Sequence, residues 1–128
     1  SGTTCTVRIS GDNAAAPTAP TSVATFNGKT LTTANVDYTA PAYVADTAYN
    51  TPSLVGIVAE LISDNGAYSS GSMQFMARDQ GSSTGASREI WKWLGSTTKC
   101  QKLHIEWSAG GGGLSIPVAM HHYKMMRR

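Results

Sequence analysis

Apolar and polar residues alternate one by one in several short segments of this chain. In residues 101–108 (QKLHIEWS) every second residue is apolar, beginning at Leu103, and residues 4–10 alternate in the same way around Val7. Successive side chains of a β-strand point to opposite faces of a sheet, so a period of two predicts a strand with one buried face. This pattern restricts the chain to folds built mainly from sheets.

Further strands are predicted along the chain, separated by turn-forming residues at intervals that suit an all-β fold. They lie at residues 72–78, 88–94 and 114–124, and the glycine run 110–113 is predicted to join the last two strands as a hairpin loop. The whole pattern predicts a mainly β protein. Its architecture is expected to be an antiparallel β-sandwich or barrel of about 6–8 strands, with at most one short helix near 53–63.

Residues 54–63 (LVGIVAELIS) allow two interpretations. The β-branched residues and Gly56 favour a buried strand, which is the interpretation we prefer. The alternative is one short helix with Ser53 as its N-cap.

Two other segments carry local predictions. Asn27-Gly28 lies between two short runs of strand-forming residues, and Asn-Gly suits the positive φ angles of a type I′ turn, so a tight hairpin is predicted there. Residues 34–52 contain Pro41 and Pro52, which disfavour a central strand. We expect an irregular crossing segment there, with one short edge strand.

The chain is predicted to form a single β domain over residues 1–128. Residues 13–22 include a Pro-containing, Ala/Thr-rich stretch that is expected to be extended, as a surface loop or as an arm that reaches a neighbouring subunit. Cys5 and Cys100 do not form a CxxC pair. Two buried thiols and one long-range disulfide both remain open.

Charged residues make up only 14% of the sequence, against about 25% in a typical soluble domain. Hydroxyl-bearing side chains take their place, and these cost less to bury against another subunit than a bare charge does. A particle subunit and a loop-rich soluble protein both fit this composition. No apolar run approaches the roughly 18 residues that a membrane helix needs, so membrane insertion is not expected.

No catalytic set of residues and no complete metal-binding pattern is evident in the sequence. The adjacent His121 and His122 would point to opposite faces of a strand, so they would not easily bind one metal ion. His104 and His122 are expected to face each other across the hairpin, but a third and fourth zinc ligand are not evident. We therefore predict no enzyme activity, no metal and no cofactor.

Charge is distributed unevenly along the chain. Residues 1–70 hold two basic residues against five acidic ones, whereas residues 71–128 hold eight against three. A basic sheet face binds phosphates, so nucleic acid is a predicted partner. The alternative is a solvated strand face. The candidate nucleic-acid-facing residues are Arg88, Lys92, Lys102, His104, Lys124, Arg127 and Arg128.

The tryptophans support a second interpretation. Trp91, Trp93 and Trp107 would provide a stacking platform for a surface glycan, as in a carbohydrate-binding module or adhesin domain. Packing within the core or an interface is the alternative role for these side chains.

The Thr/Ala/Ser/Gly-rich texture, with a segment such as residues 71–79 (GSMQFMARD), resembles that of many phage virion proteins, although it contains no specific motif. Coat proteins of single-stranded RNA phages have this size but end in two helices, whereas residues 95–128 are predicted to form strands. The function predicted from sequence is a non-enzymatic, self-assembling virion subunit, from a capsid, decoration layer or fibre. Its expected location is the virion or the extracellular space.

Overall fold

The computed structural model describes residues 3–66, 71–88, 95–106 and 120–126, and this part of the chain is mainly strand with two helices. The prediction of a mainly β protein is confirmed, and the prediction of at most one helix is wrong. The strands are β1 (Cys5–Asp12), β2 (Leu31–Ala40), β3 (Ala48–Asn50), β4 (Phe75–Asp79), β5 (Lys102–Glu106) and β6 (Met120–Met126). The helices are α1 (Val23–Asn27) and α2 (Val55–Asn65).

The strands pair into two antiparallel sheets. The first sheet has the order β2-β1-β4, and the second sheet has the order β3-β6-β5. β1 lies at the centre of the first sheet, where Val7 is opposite Tyr38 of β2 and Asp79 of β4. The alternation of residues 4–10 therefore predicted a strand correctly.

Helix α2 occupies the segment for which a strand was preferred, so that preference is wrong. Leu54, Ile57, Val58 and Leu61 follow the helical spacing i, i+3, i+4, i+7, and each is at most 2% exposed. The burial of this stripe outweighs the strand propensity of the β-branched residues. The helix begins after Leu54 without a side-chain cap, so Ser53 is not its N-cap.

The backbone of β1 at Gly11 lies close to side chains of α2, so the helix packs closely on the first sheet. A Cβ atom placed on Gly11 would lie 2.8 Å from Cδ1 of Leu61 and 3.1 Å from Cγ2 of Ile57. Any larger residue at this position of β1 would therefore require the side chains of Leu61 and Ile57 to shift.

The hairpin predicted at Asn27-Gly28 is wrong, because α1 ends at Asn27. Ser22 and Thr25 form a capping box at the start of this helix, and local side-chain bonds of this kind favour a helical turn. Gly28 has φ −79°, so the positive φ angles of a type I′ turn are absent there. Arg78 of β4 donates a 2.8 Å hydrogen bond to the Phe26 carbonyl, and its guanidinium lies over the Phe26 ring.

Much of the predicted crossing segment, residues 34–52, is also regular. Its first part belongs to β2, which runs for ten residues and ends immediately before Pro41. Pro41 was expected to disfavour a central strand, and β2 is an edge strand whose last residue comes immediately before this proline. The short edge strand predicted in this segment is present as β3.

Other predicted strands are displaced or shortened. Residues 72–78 correspond to β4, which begins at Phe75, and residues 101–108 correspond to β5. The last strand, predicted at 114–124, is described from Met120 onward. The strand at 88–94 and the glycine loop at 110–113 lie outside the described residues, apart from Arg88.

The Pro-containing segment 13–22 has neither helix nor strand and is attached to the first sheet. Nζ of Lys29 donates 2.6 Å to the Thr18 carbonyl and 2.7 Å to the carboxylate of Asp12. The Asp12 side chain is only 3% exposed. Both cysteines are free thiols, and Cys100 is buried.

Tyr43 connects the two sheets. Its ring stacks on Tyr49 of β3, with ring centroids 4.6 Å apart, and its hydroxyl donates a 3.5 Å hydrogen bond to the hydroxyl of Tyr38 in β2. Burial, and then the bond to Tyr38, raise the pKa of Tyr43 well above its usual value. The side chains of Tyr49 and Leu103, from the second sheet, pack against the same core.

Candidate functional site

The strand register of the second sheet brings together part of the predicted basic surface. Because β5 and β6 pair antiparallel, Lys102 lies opposite Lys124 and His104 lies opposite His122. The two pairs are separated by one residue on each strand, so they share one face of the sheet. We call these four positions the basic ladder.

The basic ladder lies on the outer face of the second sheet. Leu103 alternates with Lys102 and His104 along β5, and Leu103 packs against the core. The side chains of Lys102 and His104 are accordingly exposed. On the other side of β6, Asn50 of β3 is opposite Lys124 and adds no charge to this row.

Like charges directly opposite each other in a sheet are destabilising, so the Lys102–Lys124 pair has an electrostatic cost. Lys102 has no carboxylate partner among the side chains that the structure describes. Glu106, two residues beyond His104 on β5, is opposite Met120. This face is therefore suited to an anionic ligand, which would relieve the repulsion between the lysines.

The other described cations have acceptors within the fold. Arg8 forms a bidentate pair with Asp37 at 2.7 and 2.8 Å, and this pair raises the pKa of Arg8 and lowers that of Asp37. Lys29 binds Asp12, and Lys99 binds Asp46. The neighbouring carboxylates therefore largely neutralise these three cations.

Arg88 is not part of the basic ladder. Its guanidinium donates to the carbonyls of Thr3, Ala40 and Pro41, at 3.0, 3.3 and 2.6 Å. These bonds fasten the segment after β4 to the ends of β1 and β2. The geometry assigns Arg88 a role in holding the first sheet together.

The remaining candidates lie outside the described residues. Among the predicted nucleic-acid-facing residues these are Lys92, Arg127 and Arg128, and among the predicted glycan-binding residues they are Trp91, Trp93 and Trp107. A glycan platform built from these tryptophans stays a prediction.

The carboxylates with described side chains hold the fold together. The Glu60 carboxylate of α2 accepts hydrogen bonds from the backbone N–H groups of Thr33 and Ala34, at 2.6 and 2.7 Å. Asp64 accepts from Asn13 at 2.7 Å, and a hydrogen bond from Ser82 lowers the pKa of Asp79. Within the described part of the chain, no three His, Cys, Asp or Glu side chains are placed to hold a metal ion.

The outer edge of β2 is a second feature of interest. In β1, the Thr6 carbonyl accepts from Gln80 and the Asp12 N–H donates to Gln74, so the backbone groups of even-numbered β1 residues face the β4 side. Those of odd-numbered residues face β2, where Val7 partners Tyr38.

The partners of the odd-numbered β1 residues are Val36, Tyr38 and Ala40, so the intervening β2 residues direct their N–H and C=O groups away from β1. These residues are Asn35, Asp37 and Thr39. Among the described strands, none lies beside this edge. Sequence reasoning missed the edge because Pro41 and Pro52 pointed to an irregular segment. The absence of proline and lysine between residues 31 and 40 was the feature that could have revealed it.

No family model matches the chain, and neither a curated protein nor a solved structure matches it. Among the helices in the described ranges, none is long and apolar enough to cross a membrane.

Proposed function

We propose that this protein is a non-enzymatic structural subunit that self-assembles into a virus or phage particle, as a capsid, decoration or fibre protein. Its partners are copies of itself, and its location is the virion or the extracellular space. The observation that carries this proposal is the outward edge of β2.

An edge strand is a template for pairing with another chain, because its outward N–H and C=O groups still need partners. Monomeric proteins commonly protect such an edge with lysine, proline or a bulge. β2 contains neither lysine nor proline, and its register irregularity is confined to the end near Leu31. Residues 35–40 therefore offer a regular edge to a second copy.

Charge and chemistry agree with an assembly role. The one charged residue of β2 is Asp37, and Arg8 of the same subunit neutralises it, so pairing at this edge buries little net charge. The described carboxylates are engaged in structural contacts, as expected of a protein whose acids stabilise its fold.

The finer architecture is part of the same proposal. Six strands in two three-stranded antiparallel sheets, with Tyr49 and Leu103 of one sheet packed against the core of the other, favour an antiparallel sandwich of 6–8 strands. Such a sandwich would present β2 at its border.

Native mass spectrometry of the full chain tests the assembly, with a matched pair of variants at the centre of the edge. Asp37→Pro removes an outward N–H without removing a bond to β1, a position at which edge strands accept proline. Asp37→Ala removes the same pair with Arg8 but keeps the N–H. We expect the wild type and Asp37→Ala to form oligomers and Asp37→Pro to remain monomeric.

Two results would contradict the proposal. A wild type that stays monomeric at high concentration excludes self-assembly. If Asp37→Pro forms the same oligomers as Asp37→Ala, assembly occurs but the edge of β2 is not the interface.

A further inference from the structure

We infer that the basic ladder of Lys102, His104, His122 and Lys124 binds the phosphate backbone of a single-stranded nucleic acid. The inference rests on the proposed function, since a particle subunit is the setting in which a surface of this kind meets a genome. The ligand would bind to the outer face of the second sheet, which the proposed self-assembly through the edge of β2 does not involve.

The register of the second sheet places two lysines opposite each other, which is electrostatically unfavourable. Lys102 lies directly opposite Lys124, and two ammonium groups in this relation repel each other. In contrast, Arg8, Lys29 and Lys99 each have a carboxylate partner. Among the lysines whose side chains the structure describes, Lys102 is therefore the one without a carboxylate partner, and an anion from outside would compensate the charge at this face.

The histidines beside the lysines indicate which type of anion this face would bind. Histidine positions, His104 and His122, occupy the neighbouring rung of the same face. Lysine supplies a point charge for phosphate, and the flat imidazole ring stacks on unpaired bases. Surfaces that bind single strands without sequence preference combine cationic groups that contact phosphates with flat rings that stack on bases. A transition-metal ion is disfavoured, because two adjacent lysines repel a cation.

A ligand in solution has access to this face of the second sheet. The ladder is on the side of β5 opposite Leu103, which packs against the core, and the side chains of Lys102 and His104 are exposed. The outward edge of β2 belongs to the other sheet. A subunit can therefore pair through β2 and bind a strand through the second sheet at the same time.

The test is the anisotropy of a labelled oligo(dT) titrated with the full chain across a salt series. Each phosphate contact to a single strand contributes about 0.7 to the slope of log affinity against log salt, which corresponds to roughly fivefold in affinity near 0.1 M salt. Lys102→Gln should therefore weaken binding about fivefold and flatten the slope by about 0.7. The double variant with Lys124→Gln should lose roughly 25-fold.

Arg8→Gln is the matched control, because it removes the same charge from a side chain already paired with Asp37 on the first sheet. It should leave the affinity for oligo(dT) unchanged. Thermal melting provides a second readout, since removing one lysine of a repelling pair should keep or raise Tm at low salt. Loss of binding together with a higher or equal Tm separates a ligand-binding role from a structural one.

Failure of this inference is distinguishable from failure of the proposed function. A wild type that forms oligomers but does not bind oligo(dT), or that loses equal affinity in Arg8→Gln and Lys102→Gln, overturns the ladder as the binding face and leaves assembly intact. Equal or tighter binding to heparin overturns the assignment to nucleic acid. A monomeric wild type that binds oligo(dT) through Lys102 overturns assembly alone.

Discussion

The two sheets compensate charge differently. On the first sheet, Arg8 lies between Asp37 of β2 and Arg78 of β4, and it forms two short hydrogen bonds with Asp37. On the second sheet, the register puts Lys102 across from Lys124. The two sheets have the same number of described strands and the same antiparallel pairing, so the contrast arises from the side chains that each register brings together.

The sheets also differ in what supports them. The first sheet has α2 seated on it, with Leu54, Ile57 and Leu61 fully buried. The second sheet contributes partly buried residues such as Leu103 to the border of that core. We therefore expect the first sheet with α2 to supply most of the stability of the described part of the chain, and the outer face of the second sheet to tolerate a charge pattern that costs stability.

The largest expected effect tests that division of stability. Leu61→Ala should lower the free energy of unfolding by about 2–5 kcal/mol, because it leaves a cavity between α2 and β1. Leu103→Ala, at a partly buried site of the second sheet, should cost clearly less. Chemical denaturation of both variants measures the difference. Equal losses would mean that the two sheets share the core evenly.

The next effect compares a buried ion pair with an exposed one, both on the first sheet. Asp12→Asn should destabilise the protein by on the order of 3 kcal/mol, because it leaves the Lys29 ammonium, 16% exposed, without its carboxylate. Asp37→Asn should change stability little at neutral pH, because water screens the exposed pair. If both substitutions cost the same, burial is not what sets the strength of these pairs.

The exposed pair has a pH signature of its own. Arg8 lowers the pKa of Asp37 in the folded state, so its contribution to stability is present above the unfolded pKa, near 4, and is lost as pH falls through the folded pKa. Asp37→Asn should remove this small part of the acid sensitivity in denaturation curves collected between neutral and acid pH.

The smallest effect concerns the contact between the sheets. Burial raises the pKa of Tyr43 in the folded state, so its contribution to stability is present below the usual tyrosine pKa, near 10, and is lost as pH rises through the folded value. We expect alkaline unfolding to accompany its ionisation, followed by absorbance at 295 nm and near-UV circular dichroism. Tyr43→Phe should shift this unfolding to higher pH, and an unchanged midpoint would show that Tyr43 is not the controlling group.

The candidate site was only partly accessible to sequence reasoning. Alternation places Lys102 and His104 on one face of a strand, and the hairpin prediction pairs them with the chain near His122. The register confirms the expected pairing of His104 with His122 and, because the two strands are antiparallel, places Lys102 opposite Lys124. Arg88 was grouped with these residues because it is basic, whereas its carbonyl acceptors come from Thr3 and Pro41, far away in the chain.

Local pattern in the sequence determined the strands with strict alternation, such as β1 and β5, because a period of two allows one face to be buried only if the chain is extended. Tertiary structure decided the segments in which local preference and burial disagree. Residues 55–65 prefer strand locally, but their apolar residues also fit a helical stripe, and the surface around Gly11 made the helix the better way to bury them. The outward edge of β2 and the ion pairs were settled at the same level, because each depends on groups that the linear sequence keeps far apart.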